Sequence, residues 1–141
     1  MPWAAAPLPT PRRRLADWQL RYAACLRARQ GVPFAWGAQD CAQLAAAVVH
    51  ACTGHVVVLP AYNSGRQGMR RLRGLGGLRA GVCAVLGPCI APNLARTGDL
   101  LLIQSGRRHA LAVCNGAAAI GPGPAGLVAV SMRHAVVAWR V

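Results

Sequence analysis

Asp40-Cys41-Ala42-Gln43-Leu44-Ala45-Ala46-Ala47-Val48-Val49-His50-Ala51-Cys52-Thr53-Gly54 is the stretch that decides the fold. Asp40 has a short carboxylate suited to accept from the orphan N–H groups of a helix that starts at Cys41, and Thr53-Gly54 supplies the end signal. The residues between are apolar almost all round, so the helix belongs inside the protein, with other elements packed around it. Upstream, Leu15, Trp18, Tyr22, Cys25 and Leu26 recur at helical spacing, which predicts an amphipathic helix over 14–30 ended by Gly31. Between the two helices, Gly31-Val32-Pro33-Phe34-Ala35-Trp36-Gly37-Ala38-Gln39 reads as a loop carrying two aromatics.

Downstream, a basic helix is expected over 64–75 and a second helical piece over 78–86. After Pro92 the pattern changes to β: Gly98-Asp99-Leu100-Leu101-Leu102-Ile103, His109-Ala110-Leu111-Ala112-Val113-Cys114, Leu127-Val128-Ala129-Val130 and Ala135-Val136-Val137-Ala138-Trp139. Ser105-Gly106, Asn115-Gly116 and Gly121-Pro122-Gly123-Pro124 read as the turns between them. Helices first and an antiparallel meander second predict an α+β fold. Residues 1–12, Pro-rich and without an apolar period, are expected to be an extended arm that a partner holds in place. They do not read as a secretory signal, and residues 13–141 read as a single domain.

The chain has 141 residues, 55% of them hydrophobic and only 13% charged, which excludes a disordered tail; no apolar run reaches the ~20 residues of a membrane span. Its net charge of +13 comes from arginine alone, and Asp17, Asp40 and Asp99 are the only acids. So few carboxylates exclude a glycosidase pair or a hard-metal site. The arginine excess, without lysine, reads more as compositional bias than as a nucleic-acid footprint. The run Arg66, Arg70, Arg71, Arg73 and Arg79 reads as a solvated face. The six cysteines show no paired spacing, so most read as small buried hydrophobes, and neither a metal site nor a cofactor is implied.

Cys41 differs, because a helix start favours a thiolate. A nucleophilic thiol needs a base, and the histidines are His50, His55, His109 and His134. His50 lies nine residues along the same helix, roughly 13 Å away by helical rise, and His55 lies beyond its far end. His109 opens a strand and could face the helix start.

In this order, Pro33-Phe34-Ala35-Trp36-Gly37, Asp40-Cys41, Gly98-Asp99-Leu100-Leu101-Leu102-Ile103 and His109-Ala110-Leu111-Ala112-Val113 together resemble the NlpC family of papain-like cysteine peptidases, which hydrolyse peptide or amide bonds of bacterial cell-wall peptides. The resemblance spans about residues 31–130. It implies a papain-like fold with a central helix on an antiparallel sheet, Cys41 as nucleophile and His109 as base. Phe34, Trp36 and Asp40 would line the substrate groove. Trp18 and the ending Ala138-Trp139-Arg140-Val141 further resemble a branch of that family found in bacteriophage tail gene clusters. That implies a virion protein of the tail tip, assembled in the bacterial cytoplasm, with other tail-tip or baseplate hub proteins as partners, peptidoglycan as substrate and no membrane. Phe34 stands where those enzymes have tyrosine, Ala42-Gln43 where they have Ser-Gly, and Ala118 to Pro122 offers no polar residue to orient the histidine. His134, Ser131 and Asn115 are the substitutes to weigh. A catalytically inactive tail-tip protein using the same fold for docking is the alternative.

Overall fold

A computed structural model describes residues 6–141. It is an α+β fold: four helices, α1 (Trp18–Arg29), α2 (Cys41–Thr53), α3 (Gly65–Arg73) and α4 (Leu78–Leu86), precede an antiparallel sheet of β1 (Leu100–Ser105), β2 (Arg108–Cys114), β3 (Ala118–Gly123), β4 (Gly126–Ser131) and β5 (Ala135–Trp139). The second helix behaves as its sequence requires. The Asp40 carboxylate accepts from Gln43 N–H at 3.0 Å, and Gly54 closes the helix at φ 77°, a conformation open to glycine at no steric cost. Leu44, Val48, Val49 and Cys52 are essentially inaccessible and pack against Leu100, Leu102, Leu111 and Val113 on one face of the sheet. A smaller cluster of Leu101, Ile103, Ala112, Cys114, Ala119 and Ala138 covers the other face.

Strand order is β4-β3-β2-β1-β5, so the simple meander expected from the sequence is corrected at its end. The last strand crosses back to the free edge of β1 and pairs Leu100 with Trp139 and Leu102 with Val137. β1 is buried on both faces from Leu100 to Ile103, and a strand buried on both faces needs neighbours on both sides. A second correction concerns Gly121-Pro122-Gly123, read as a turn but forming the end of β3. Pro122 pairs with Leu127 on β4. On its other side β3 pairs with β2 only at Val113–Ile120 and Cys114–Ala119, after which the two strands separate. Proline has no N–H with which to extend that ladder.

The expected arm lies partly outside the described residues; its remainder bonds to its own chain. Leu8 N–H donates to the Val85 carbonyl at 2.9 Å, and the Arg12 guanidinium donates to the carbonyls of Leu86 and Arg140. Next to it, Arg14 closes the molecule. Its guanidinium meets Asp99 at 2.8 Å, donates to the carbonyls of Thr97 and Val141, and stacks over Trp18 at 4.1 Å. Asp99, wholly buried, also accepts from the N–H groups of Arg96 and Val141. Trp139 is buried as well and donates its indole N–H to Cys83 Sγ at 3.4 Å. Among the described residues no helix is long and apolar enough to cross a membrane.

Candidate functional site

Cys41 begins α2, where the first N–H groups of a helix have no partner within it. Asp40 satisfies the N–H of Gln43, which leaves those of Cys41 and Ala42 directed at the thiol. A third donor arrives from the sheet: the N–H of Leu111, on β2, also points to the sulfur. Burial nevertheless dominates and pushes the Cys41 thiol up, with the N–H of Leu111 pulling it down and the negative Asp40 adding to the rise. The resting thiolate expected from the helix start is therefore corrected to a neutral thiol. Burial raises Cys25, Cys52 and Cys114 too, so Cys41 is set apart by its ring of donors and its access to a cavity, not by acidity. Alkylation of Cys41 by iodoacetamide is accordingly expected to keep rising above about pH 8.5, where an ordinary thiol begins to level off, with no plateau in the acid range. Mass mapping of the labelled peptides across pH checks this.

His109 stands on β2 two residues before Leu111. Side chains alternate along a strand, so His109 shares the face of Leu111 and Val113, the face packed against α2. Cys41 and His109 both line a cavity of about 440 Å³, together with Phe34, Trp36 and Asp40. All five residues singled out from the sequence thus line this cavity. The cavity runs between α2, α3 and α4 and reaches the gap where β2 and β3 part, bounded there by Ala110, Leu111, Gly121 and Pro122.

Phe34 and Trp36 form an edge-to-face pair with centroids 4.8 Å apart, both partly exposed at the rim. Trp36 also lies on Gly65 of α3, where a Cβ would come within 2.8 Å of the indole.

Tyr62 was not singled out by the sequence. Its hydroxyl donates to Asp40 Oδ2 at 2.6 Å, and Gly37 N–H donates to the same oxygen at 2.8 Å. Burial, reinforced by Asp40, raises the Tyr62 hydroxyl, which therefore stays protonated as a donor. Tyr62 lies in the segment between α2 and α3 and lines the same cavity. No local signal marks it, because its relevance comes from a chain reversal. Its only trace in the sequence is Gly37, where a Cβ would lie 1.9 Å from the Tyr62 carbonyl oxygen. Tyr62→Phe is expected to cost about 1–2 kcal/mol by leaving one Asp40 lone pair unpaired, measured by urea unfolding.

The remaining histidines stand elsewhere. His50 is exposed near the end of α2 and lines a groove with Arg21 and Arg29, His55 follows that helix, and His134 lies in the turn before β5. Of the substitutes weighed for orienting His109, Asn115 accepts from the Tyr22 hydroxyl at 2.8 Å, six residues and about 20 Å along the strand. Ser131 accepts from Arg133 N–H. β3 carries no polar side chain, so the departure noted there persists in the fold. The six cysteines are free, and no cluster of potential metal ligands occurs among the described residues.

No curated protein matches the chain. A family model described as a domain of unknown function, DUF6950, matches residues 13–141, and the chain belongs to that family.

Proposed function

We propose that the protein is a papain-like cysteine hydrolase of NlpC type that cuts peptide or amide bonds in bacterial cell-wall peptides as a component of a phage tail tip. The observation that carries the chemistry is the convergence of three features on one cavity: the Cys41 sulfur, backbone donors from α2 and β2, and His109 on the strand face turned to α2. The tail-tip setting and the cell-wall substrate rest on the sequence resemblance.

In this reading His109 takes the Cys41 proton as the sulfur attacks the carbonyl carbon, which suits a thiol that burial keeps neutral at rest. Negative charge passes to the carbonyl oxygen, where N–H groups at the start of α2 stabilise it. As the intermediate collapses, the C–N bond breaks and His109 returns the proton to the leaving amine. Water, deprotonated by His109, then cleaves the thioester and restores the thiol. Asp40 is a positioning residue: it holds the Gly37 loop, the helix start and Tyr62 together.

The test is incubation of the protein with purified peptidoglycan and with soluble cell-wall peptides, reading new amino groups and mass-shifted fragments. Cleavage that iodoacetamide blocks is the expected result. A correctly folded protein that releases nothing from either substrate overturns the hydrolase and leaves the inactive tail-tip role.

A further inference from the structure

Much of the cavity wall offers no polar side chain at all. From α2 the cavity takes Cys41, Ala42, Ala45, Ala46 and Val49, which fall on one stripe of the helix, while Leu44, Ala47, Val48 and Ala51 point elsewhere. The stripe extends roughly 12 Å along the axis from Cys41 to Val49, by helical rise. Beyond Cys41 its side chains are alanine and valine, and the small alanines leave room beside the helix.

Val57, Leu59 and Pro60 of the segment after α2, and Leu78, Val82 and Val85 of α4, supply further wall of the same kind. The polar residues that border the cavity, Asp40, Tyr62, Arg71, Ser105, Arg108 and His109, all belong to other segments. Val49 and Val85 are buried whereas Phe34 and Trp36 are partly exposed, so the cavity leads from the surface into the core. A peptide backbone drawn along the wall of α2, α4 and residues 57–60 would lose its hydrogen bonds to water and find no side-chain partner there. A hydrocarbon chain has none to lose and gains by leaving water.

We propose a further activity for this cavity: it holds an aliphatic chain along α2, and Cys41 accepts the acyl group at the head of that chain from an ester. The proposal rests on the hydrolase reading of Cys41 and His109, and not on the cell-wall substrate. The sulfur attacks the ester carbonyl carbon, the C–O bond breaks, and His109 passes the thiol proton to the leaving alcohol. Water, deprotonated by His109, then cleaves the thioester, releasing the aliphatic acid and restoring the thiol.

The test gives the full chain p-nitrophenyl acetate and p-nitrophenyl octanoate, the latter below the concentration at which it forms micelles. Nitrophenolate release and the acyl mass on the Cys41 peptide are read. Both esters share one leaving group, so the ratio of their kcat/KM values reports the acyl chain. Octanoate is expected to exceed acetate by about tenfold or more, since each methylene that leaves water for an apolar wall favours binding. The ratio is expected to fall about three- to tenfold in Leu72→Asn, on a helix with no buried residue, and in Val82→Asn of α4. Val136→Asn, exposed on β5 and outside the cavity, leaves it unchanged. Acetate reacting at Cys41 at least as fast as octanoate overturns aliphatic selection while the hydrolase reading stands, as does one ratio shared by all three variants. Octanoate turnover that survives Cys41→Ala overturns the acyl activity at this site. Silence of both esters in a folded protein that cleaves cell-wall peptides overturns the acyl activity alone; silence with every substrate overturns both.

Discussion

Replacing Cys41 by alanine is expected to lower the release of cell-wall peptides by about three to four orders of magnitude or more, because no other thiol lines the cavity to form the acyl intermediate. The other five cysteines do not line it. His109→Ala is expected to cost about 10²- to 10⁴-fold, the range for removal of a general base. Both losses are expected without unfolding. The Cys41 side chain is small, and truncating its sulfur removes about 1 kcal/mol or less of packing, while His109 is exposed at one end of β2. Side-by-side rates and thermal melts decide the matter. A Cys41→Ala protein that still cleaves excludes this nucleophile.

The second large effect falls on stability, far from the cavity. Asp99→Ala is expected to destabilise the protein by about 3–5 kcal/mol, and Arg14→Leu by a comparable amount. Either change strands a charge in a site where the Arg14 and Asp99 side chains are 6% and 1% exposed. Without Asp99, the N–H groups of Arg96 and Val141 lose their acceptor as well. That carboxylate ties together the segment before α1, the turn into β1 and Val141, two residues past β5, three stretches with no local reason to meet. Urea or thermal unfolding reads the loss, expected at about 10 °C or more in Tm for a domain of this size. A double variant replacing both residues by well-packed apolar side chains should recover much of the loss, since it removes the buried charge along with its partner. A loss near zero in Asp99→Ala would mean that the pair is open to solvent.

The Gly98-Asp99 pair illustrates how a motif can be read correctly and used differently. It marks the entry to β1, as expected, but its carboxylate serves the architecture and never approaches Cys41. Trp18 and Trp139 likewise belong to packing: the first lies under the Arg14 guanidinium and against Tyr22, the second is sealed beside Cys83. Among the described tryptophans only Trp36 lines the cavity. Their immediate neighbours, Asp17 and Gln19, Ala35 and Gly37, Ala138 and Arg140, do not sort the core tryptophans from the rim one.

Local chemistry was sufficient for α2. An Asp cap, an unbroken apolar run and a terminal glycine specify the same helix in the sequence and in the fold, because each acts over a single turn. The expected α4, residues 78–86, matches as well, bounded by Gly77 and Gly87 and without a capping side chain. Strands β1, β2 and β5 were legible because their apolar runs are bounded by glycine and polar turns. β3 was not, since Pro122 beside two glycines reads as a turn unless β4 is present to pair with it. That Cys41 and His109 line one cavity could be expected only as far as the order of elements allowed. The Leu111 donor and the hydrogen bond from Tyr62 to Asp40 could not be expected at all. Each of these depends on contacts between residues distant along the chain, and such contacts leave no period or spacing in the sequence. Capping, amphipathic period and turn chemistry, which act between neighbours, therefore determined the helices and most strands. Only tertiary packing, which buries one face of α2 against one face of β2, decided that a sulfur and an imidazole would line one cavity.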